Sequence, residues 1–259
     1  MLRAQNIRVK LGSKEVLRGV DFDAHRGQIT AIVGPNGSGK TTLLRAITQE
    51  TPFSGSVTLN GDNIQTLKGW QLAARRAVLP QSSRIAFPFT VFEVVRLGLM
   101  AGSDTQDERV SEALDRVGLG GFEGRFYQEL SGGEQQRVQF ARVLAQVWHP
   151  VGEDGPRWLI LDEPVSSLDI SHQLEVMGVL SEFARQGGGV ISVMHDLNLT
   201  AMYAHQIAVL ADGRLLQQGA PNEVLNETLL SETYGCKVRV GVAPKCGVPF
   251  VLPQASSLM

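Results

Sequence analysis

Gly34-Pro35-Asn36-Gly37-Ser38-Gly39-Lys40-Thr41 fits the phosphate-binding pattern G-x-x-x-x-G-K-[ST]. Glycines at this spacing let the backbone curl until successive N–H groups point at an anion. Lys40 can reach the β- and γ-phosphates of a nucleotide, and the Thr41 hydroxyl can ligate Mg²⁺. The flanks suit the task. Ile29 to Val33 is a β-leaning apolar run. Thr42 to Ile47 reads as a helix whose N-terminus adds partial positive charge to the loop.

A second group of residues can do chemistry on what the loop holds. Leu159-Ile160-Leu161 is an apolar strand ending in Asp162-Glu163. On a parallel sheet that end lies beside the phosphate loop. There Asp162 would hold Mg²⁺ through water, and Glu163, one residue further out, would polarise a water for in-line attack on the γ-phosphorus. Without the loop, the same two acids would read as a capping pair. A third station is Leu130-Ser131-Gly132-Gly133-Glu134, opening a helix that runs to Trp148. Ser131 suits an N-cap, and the two glycines leave backbone N–H groups bare. This is either a second anion site or a well-capped helix with no ligand.

The elements that must position these residues follow from the pattern. Residues 2–10 and Val16 to Ala24 alternate like strands. Ser56 to Leu59 ends in the hairpin signal Asn60-Gly61-Asp62. This predicts a small antiparallel sheet beside an α/β core. Leu67 to Ala74 reads as a helix and Ala77 to Gln81 as a short strand stopped at Pro80. From 83 to 150 the pattern turns helical, over Val91–Leu99, Asp107–Val117 and Gly133–Trp148, with turns such as Gly102-Ser103 between them. Beyond the polar Pro/Gly stretch His149 to Pro156, expected to be an exposed loop of little weight, strands and helices alternate as in a parallel sheet. The tail carries two strand-like runs, Val238–Val242 and Val248–Leu252, around Pro244.

Bulk properties exclude several classes. The chain has 259 residues, 43% hydrophobic and 19% charged, enough for one sizeable domain or a domain with a subdomain. A net charge of −2 with both signs interspersed gives no footprint for nucleic acid. Cys236 and Cys246 form neither a zinc pattern nor a disulfide framework and read as free thiols. No signal-like h-region follows Met1, and no apolar run is long enough to span a bilayer.

Taken together, the stations resemble the ATPases of ABC transporters. Gly34 to Thr42 looks like Walker A, Gln81 like the Q-loop glutamine, and Leu130 to Glu134 like the signature motif. Leu159 to Glu163 looks like Walker B with its glutamate, Ser166-Ser167-Leu168-Asp169 like the D-loop, and His195 like the switch histidine. The resemblance implies a P-loop NTPase core with an N-terminal antiparallel β-subdomain and an inserted α-helical subdomain. Residues 1–82 and 151–259 would form the core and 83–150 the helical part. It implies ATP and Mg²⁺, with Thr41, Gln81 and Asp162 around the metal. It also implies a head-to-tail homodimer. ATP would lie between Gly34, Pro35, Asn36, Gly37, Ser38, Gly39, Lys40, Thr41 and Thr42 of one chain and Ser131, Gly132 and Gly133 of the other. Asp169 would communicate across the dimer, Glu163 would be the base, His195 would contact the γ-phosphate, and Gln81 would sense the metal. Where the family usually stacks an aromatic residue on adenine, this sequence has Leu11, an aliphatic contact.

Leu79-Pro80-Gln81-Ser82-Ser83 with Phe87-Pro88-Phe89-Thr90-Val91, and Leu168 to Gln173, are similar to haem importer ATPases of the iron-chelate and vitamin B12 branch. That likeness implies two integral-membrane permease subunits, a periplasmic haem-binding protein acting indirectly, and a place on the cytoplasmic face of the bacterial inner membrane. Phe87, Phe89 and Phe92 would line the permease groove, the helical core, or both. Ferric-siderophore or cobalamin import, and soluble service in iron–sulfur cluster assembly, remain alternatives.

Overall fold

The structure is a computed structural model that describes residues 1–82, 85–101, 106–243, 247 and 249–255. Ser83, Arg84, the Gly102-Ser103 turn, Pro244, Cys246 and Val248 lie outside the described residues.

The first half of the chain forms β1 (Leu2–Leu11), β2 (Lys14–Ala24), β3 (Ile29–Val33), α1 (Lys40–Ile47), β4 (Ser54–Leu59), β5 (Asp62–Asn63), α2 (Gly69–Arg75) and β6 (Arg76–Leu79). Three helices follow, α3 (Val91–Ala101), α4 (Glu108–Arg116) and α5 (Gly132–Gln146). The chain then forms β7 (Val151–Gly152), β8 (Gly155–Pro156), β9 (Trp158–Asp162), α6 (Ile170–Arg185) and β10 (Gly189–Val193). It ends with α7 (Leu197–Tyr203), β11 (Gln206–Ala211), β12 (Arg214–Gly219), α8 (Pro221–Val224) and α9 (Glu227–Tyr234).

Two principal sheets organise the molecule. One is antiparallel, in the order β2-β1-β4-β5. Its β4–β5 hairpin turns through Asn60 (φ 55°) and Gly61 (φ 97°), the two left-handed residues a tight two-residue turn needs. The other has the order β12-β11-β3-β10-β9-β6, five parallel strands closed by the antiparallel edge strand β12. All residues of β3, β9 and β10 are buried. That is why they read as unbroken apolar runs: a parallel sheet is covered on both faces. The pleat divides them. Ala31, Val33, Leu159 and Leu161 join a cluster that continues into α3, α4 and α5. Ile32, Trp158, Ile160 and Ile191 join one that continues into α1 and the antiparallel sheet.

Register places the chemistry. Val193 of β10 is level with Ile32 of β3 on one side and Asp162 of β9 on the other, and Leu79 of β6 is level with Leu161. Parallel strands end on the same edge. The residues just beyond them are the phosphate loop, Glu163, His195 and Gln81.

Two expectations are corrected. The stretch 149–156 keeps much of its expected exposure but is an anchored hairpin rather than a plain loop. It forms the β7–β8 hairpin, the Asn60 amide donates to Pro156 O (2.8 Å), and Asp154 approaches Arg75. Asn60 also accepts from the indole N–H of buried Trp158 at 3.1 Å, so this hairpin and the β4–β5 turn share one bridge. In the tail, the Val238–Val242 run pairs with no strand. Val238 N–H donates to Ser231 Oγ and Val240 N–H to Glu227 Oε1, so side chains of α9 take the amides a ladder would have used. The described residues of the second run are not strand either. Strand-like composition alone does not make a strand when side chains satisfy the amides instead.

Candidate functional site

The phosphate loop takes its shape from glycines at Gly34 (φ 149°), Gly37 (φ 77°) and Gly39 (φ 107°). Gly34 is the most constrained, since a Cβ there would lie 2.0 Å from Leu210 O. Gly39 precedes α1 in a left-handed conformation with no side-chain cap, leaving the first N–H groups of that helix for a ligand. Lys40 is buried and folds back across the loop, donating to Gly34 O (2.8 Å) and Pro35 O (3.0 Å). Burial lowers its pKa against the upward pull of Glu163 and Asp162. The ammonium is thus held on two carbonyls where phosphate oxygens would otherwise draw it.

Asp162 is buried and hydrogen-bonded to the Thr41 side chain, and its Oδ1 has no partner. Burial raises its pKa, with the Thr41 bond pulling the other way. Ser38 Oγ is buried and likewise unpaired. Orphaned oxygens of this kind cost free energy unless a ligand or ion completes them. A hydroxyl, a carboxylate and the nearby Gln81 amide suit Mg²⁺, which takes few protein ligands and fills its octahedron with water and substrate phosphates.

Glu163 has φ 56°, unusual for a residue with a side chain, and its Oε1 is 2.5 Å from His195 Nε2. An N–H on Nε2 is the tautomer that satisfies this contact. Strain at such a position is tolerated where surrounding bonds over-determine it. The cleft has a volume of about 550 Å³ and is lined by Val16, Asn36, Gly37, Gly39, Lys40, Thr41, Thr42, Gln81, Glu163 and His195. The structure therefore brings the loop, the glutamine, the glutamate and the histidine together.

Other expected residues lie elsewhere. Ser131 caps α5. Its hydroxyl and N–H both donate to Glu134 Oε2 (2.7 and 2.8 Å), which holds that carboxyl below its ordinary pKa. Gly132 borders a separate cavity of about 190 Å³ shared with Gln81 and Tyr127. Ser131, Gly132 and Gly133 do not line the phosphate cleft of their own chain. Asp169 caps α6, accepting from His172 N–H (3.0 Å) and contacting His172 Nδ1 (2.8 Å). The helix-capping bond from His172 lowers its pKa. Leu11 is 52% exposed at the β1–β2 turn and does not border the cleft, whereas Val16 does. The aliphatic contact at this rim is therefore Val16. Of the three aromatics beyond Gln81, Phe89 and Phe92 pack on the core and Phe87 is 69% exposed.

Three contacts were not read from the sequence. Val16 is one. Another is Tyr234, whose phenol is pushed up by burial and pulled down by a hydrogen bond from the Gly34 backbone, so α9 touches the loop. The third is Gln136, whose amide reaches Glu163 O (3.0 Å). Gln136 lies four residues after Gly132 and so on the same helix face, a signal available in the sequence.

Comparisons agree with this geometry. The ABC transporter family profile matches residues 17–166. The chain is 63% identical over 98% of its length to a hemin import ATP-binding protein, HmuV, of Jannaschia sp. (strain CCS1), covering 94% of that protein. It is 56% identical, with both chains fully covered, to the protein of that name from Rhizobium meliloti (strain 1021). Among solved structures, a dimeric ATP-binding cassette in a post-hydrolysis state with ADP and Pi superposes with a TM-score of 0.75 at 26% identity, covering 85% of this chain and 99% of that one.

Proposed function

Because the chain belongs to the ABC transporter family, we propose that it is the ATP-hydrolysing subunit of an importer whose cargo is haem. The observation that carries the hydrolytic reading is the Lys40, Glu163 and His195 cleft at one edge of the parallel sheet. Whole-length kinship with hemin import ATP-binding proteins supports the cargo.

The residues act in sequence. The N–H groups from Gly34 to Thr42 receive the phosphates, and Lys40 leaves Gly34 O and Pro35 O for the β- and γ-oxygens. Thr41, Asp162 and Gln81 would hold Mg²⁺, which when bound would neutralise phosphate charge. Glu163 takes a proton from water as the water oxygen bonds to the γ-phosphorus and the bond to the β–γ bridging oxygen breaks. His195 fixes the carboxylate of Glu163 and presents its ring to the γ-phosphate.

A single chain offers half of this site. The capped N-terminus of α5 at Ser131, Gly132 and Gly133 lies outside its own cleft, and a second copy packed head to tail would bring it over the γ-phosphate. Asp169, next to that surface, would carry the closure between chains. An open groove of about 440 Å³ between α2 and α5, bordered by Leu72, Arg76, Arg142 and Gln146, with Trp70 of α2 69% exposed, suits a permease helix. Two permease subunits and a periplasmic haem-binding protein complete the importer, with this chain on the cytoplasmic face of the inner membrane. Among the described residues no helix is long and apolar enough to cross a membrane.

Glu163→Gln tests the chemistry. It should bind ATP, lose turnover by about 100-fold or more, and accumulate as an ATP-bound dimer in sedimentation. Normal turnover in this variant would remove Glu163 as the base.

A further inference from the structure

Glu163 is held in its left-handed conformation by bonds at both ends of its peptide unit. Its N–H donates to Val193 O at 3.2 Å. Its carbonyl accepts from Ser166 Oγ (3.2 Å) and from the Gln136 side-chain amide (3.0 Å). The other end of the same amide, Gln136 Oε1, accepts from Ser167 N–H at 3.3 Å. The base and a residue four positions after it are therefore tied to α5 by one side chain. The first turn of α5 presses on the same segment. A Cβ at Gly133 would lie 3.3 Å from Ser167 O, so glycine there permits the approach that brings Gln136 within reach.

These bonds join β9 and the segment after it to α5. Val193 ends β10, and Glu163 and Ser166 follow β9, while Gln136 belongs to α5, which packs against α3, α4 and β6. Among the described residues, the Gln136 bond ties the Glu163 backbone to α5, whereas Val193 and Ser166 come from β10 and from the segment that follows β9. We propose that Gln136 is a positioning residue for Glu163, through which the orientation of the helical segment sets the geometry of the base. With α5 seated, the amide holds the Glu163 carbonyl and the carboxylate faces the cleft. When α5 turns away, the carbonyl loses this donor, the strained backbone relaxes, and the carboxylate leaves the line of attack. Gln136 touches neither nucleotide nor water in this scheme, so its contribution belongs to turnover rather than to ATP binding.

This inference rests on Glu163 being the base, and the experiment separates the two. Steady-state hydrolysis of MgATP by the full-length chain is measured for Gln136→Leu and Gln136→Met, which keep bulk but lack a donor, beside Glu163→Gln. Melting temperatures are measured for all. The expected result is a fall in kcat of about 10- to 100-fold for either Gln136 variant, with KM for ATP within about twofold of the unmodified chain. The double variant Gln136→Leu/Glu163→Gln should trap the ATP-bound dimer as fully as Glu163→Gln alone. If Glu163→Gln turns over normally, the base assignment fails and the inference with it. If Glu163→Gln is inactive while the Gln136 variants keep full kcat, the inference alone is overturned. The same holds if they lose activity through a raised KM, a lost dimer or a lower melting temperature, because Gln136 would then be a packing residue.

Discussion

Lys40 offers the clearest quantitative handle on nucleotide binding. Replacing it with methionine keeps an unbranched side chain only one atom shorter and removes the charge. In the nucleotide-free chain the change has two opposed effects. It deletes the bonds to Gly34 O and Pro35 O, each worth about 1.5–3 kcal/mol for a charged donor. It also removes a buried ammonium whose lowered pKa reports a desolvation cost, one of several kcal/mol for such groups. These nearly cancel, so the melting temperature of the free chain should stay within about 3 °C. Binding has no such compensation. Losing a charged contact to the phosphates costs about 2 kcal/mol, or about 30-fold in Kd. At an ATP concentration 100 times the unmodified Kd, ligand stabilisation is about 2.7 kcal/mol, and for 259 residues that corresponds to a rise of about 5 °C. Lys40→Met should show a rise below about 2 °C at the same concentration. Thermal melts with and without MgATP decide it. A variant that keeps the full rise refutes Lys40 as the phosphate contact. A free chain that melts more than about 6 °C lower shows that the two carbonyl bonds are a structural staple instead.

Other outcomes follow from single contacts. Burial raises the Asp162 carboxyl above its reference of 3.8, so between that value and its folded pKa the folded chain binds more protons than the unfolded one. Stability of the nucleotide-free chain should therefore fall as pH rises through that window, and Asp162→Asn should flatten the slope in denaturation curves recorded from pH 4 to 7. MgATP affinity should run the other way, weakening as acid neutralises Asp162, and titration calorimetry across the same range checks it. Asn60→Ala, far from the cleft, should cost about 1–3 kcal/mol in urea unfolding because it strands the Trp158 indole N–H and Pro156 O.

Much of the architecture was legible because its signals are local. The glycines of 34–39, the apolar runs of β3, β9 and β10, and Ser131 as a helix cap each announce their conformation within a few residues. The edge shared by Lys40, Gln81, Glu163 and His195 could be inferred because parallel strands end together. What stayed hidden depended on distant partners. The β7–β8 hairpin read as an exposed loop because its anchor, Asn60, lies 96 residues from Pro156 in sequence, and the tail looked β-like because composition does not reveal that side chains of α9 take its amides. Val16 at the cleft rim depends on how the β1–β2 turn lies over the loop, which spacing alone does not give. Gln136 lies two residues beyond the Leu130–Glu134 motif, and its role lies in an amide spanning two residues of another segment, visible only in three dimensions.

The proposed function requires that ATP turnover by a pair of these chains drive haem across a membrane. The most direct measurement is uptake into proteoliposomes holding the candidate permease pair, this chain and a haem-loaded binding protein. Haem should accumulate only with MgATP and should not accumulate with Glu163→Gln, while ferric siderophore and cobalamin remain outside. Uptake of a siderophore or cobalamin without haem would contradict the cargo, and haem uptake undiminished by Glu163→Gln would contradict the coupling.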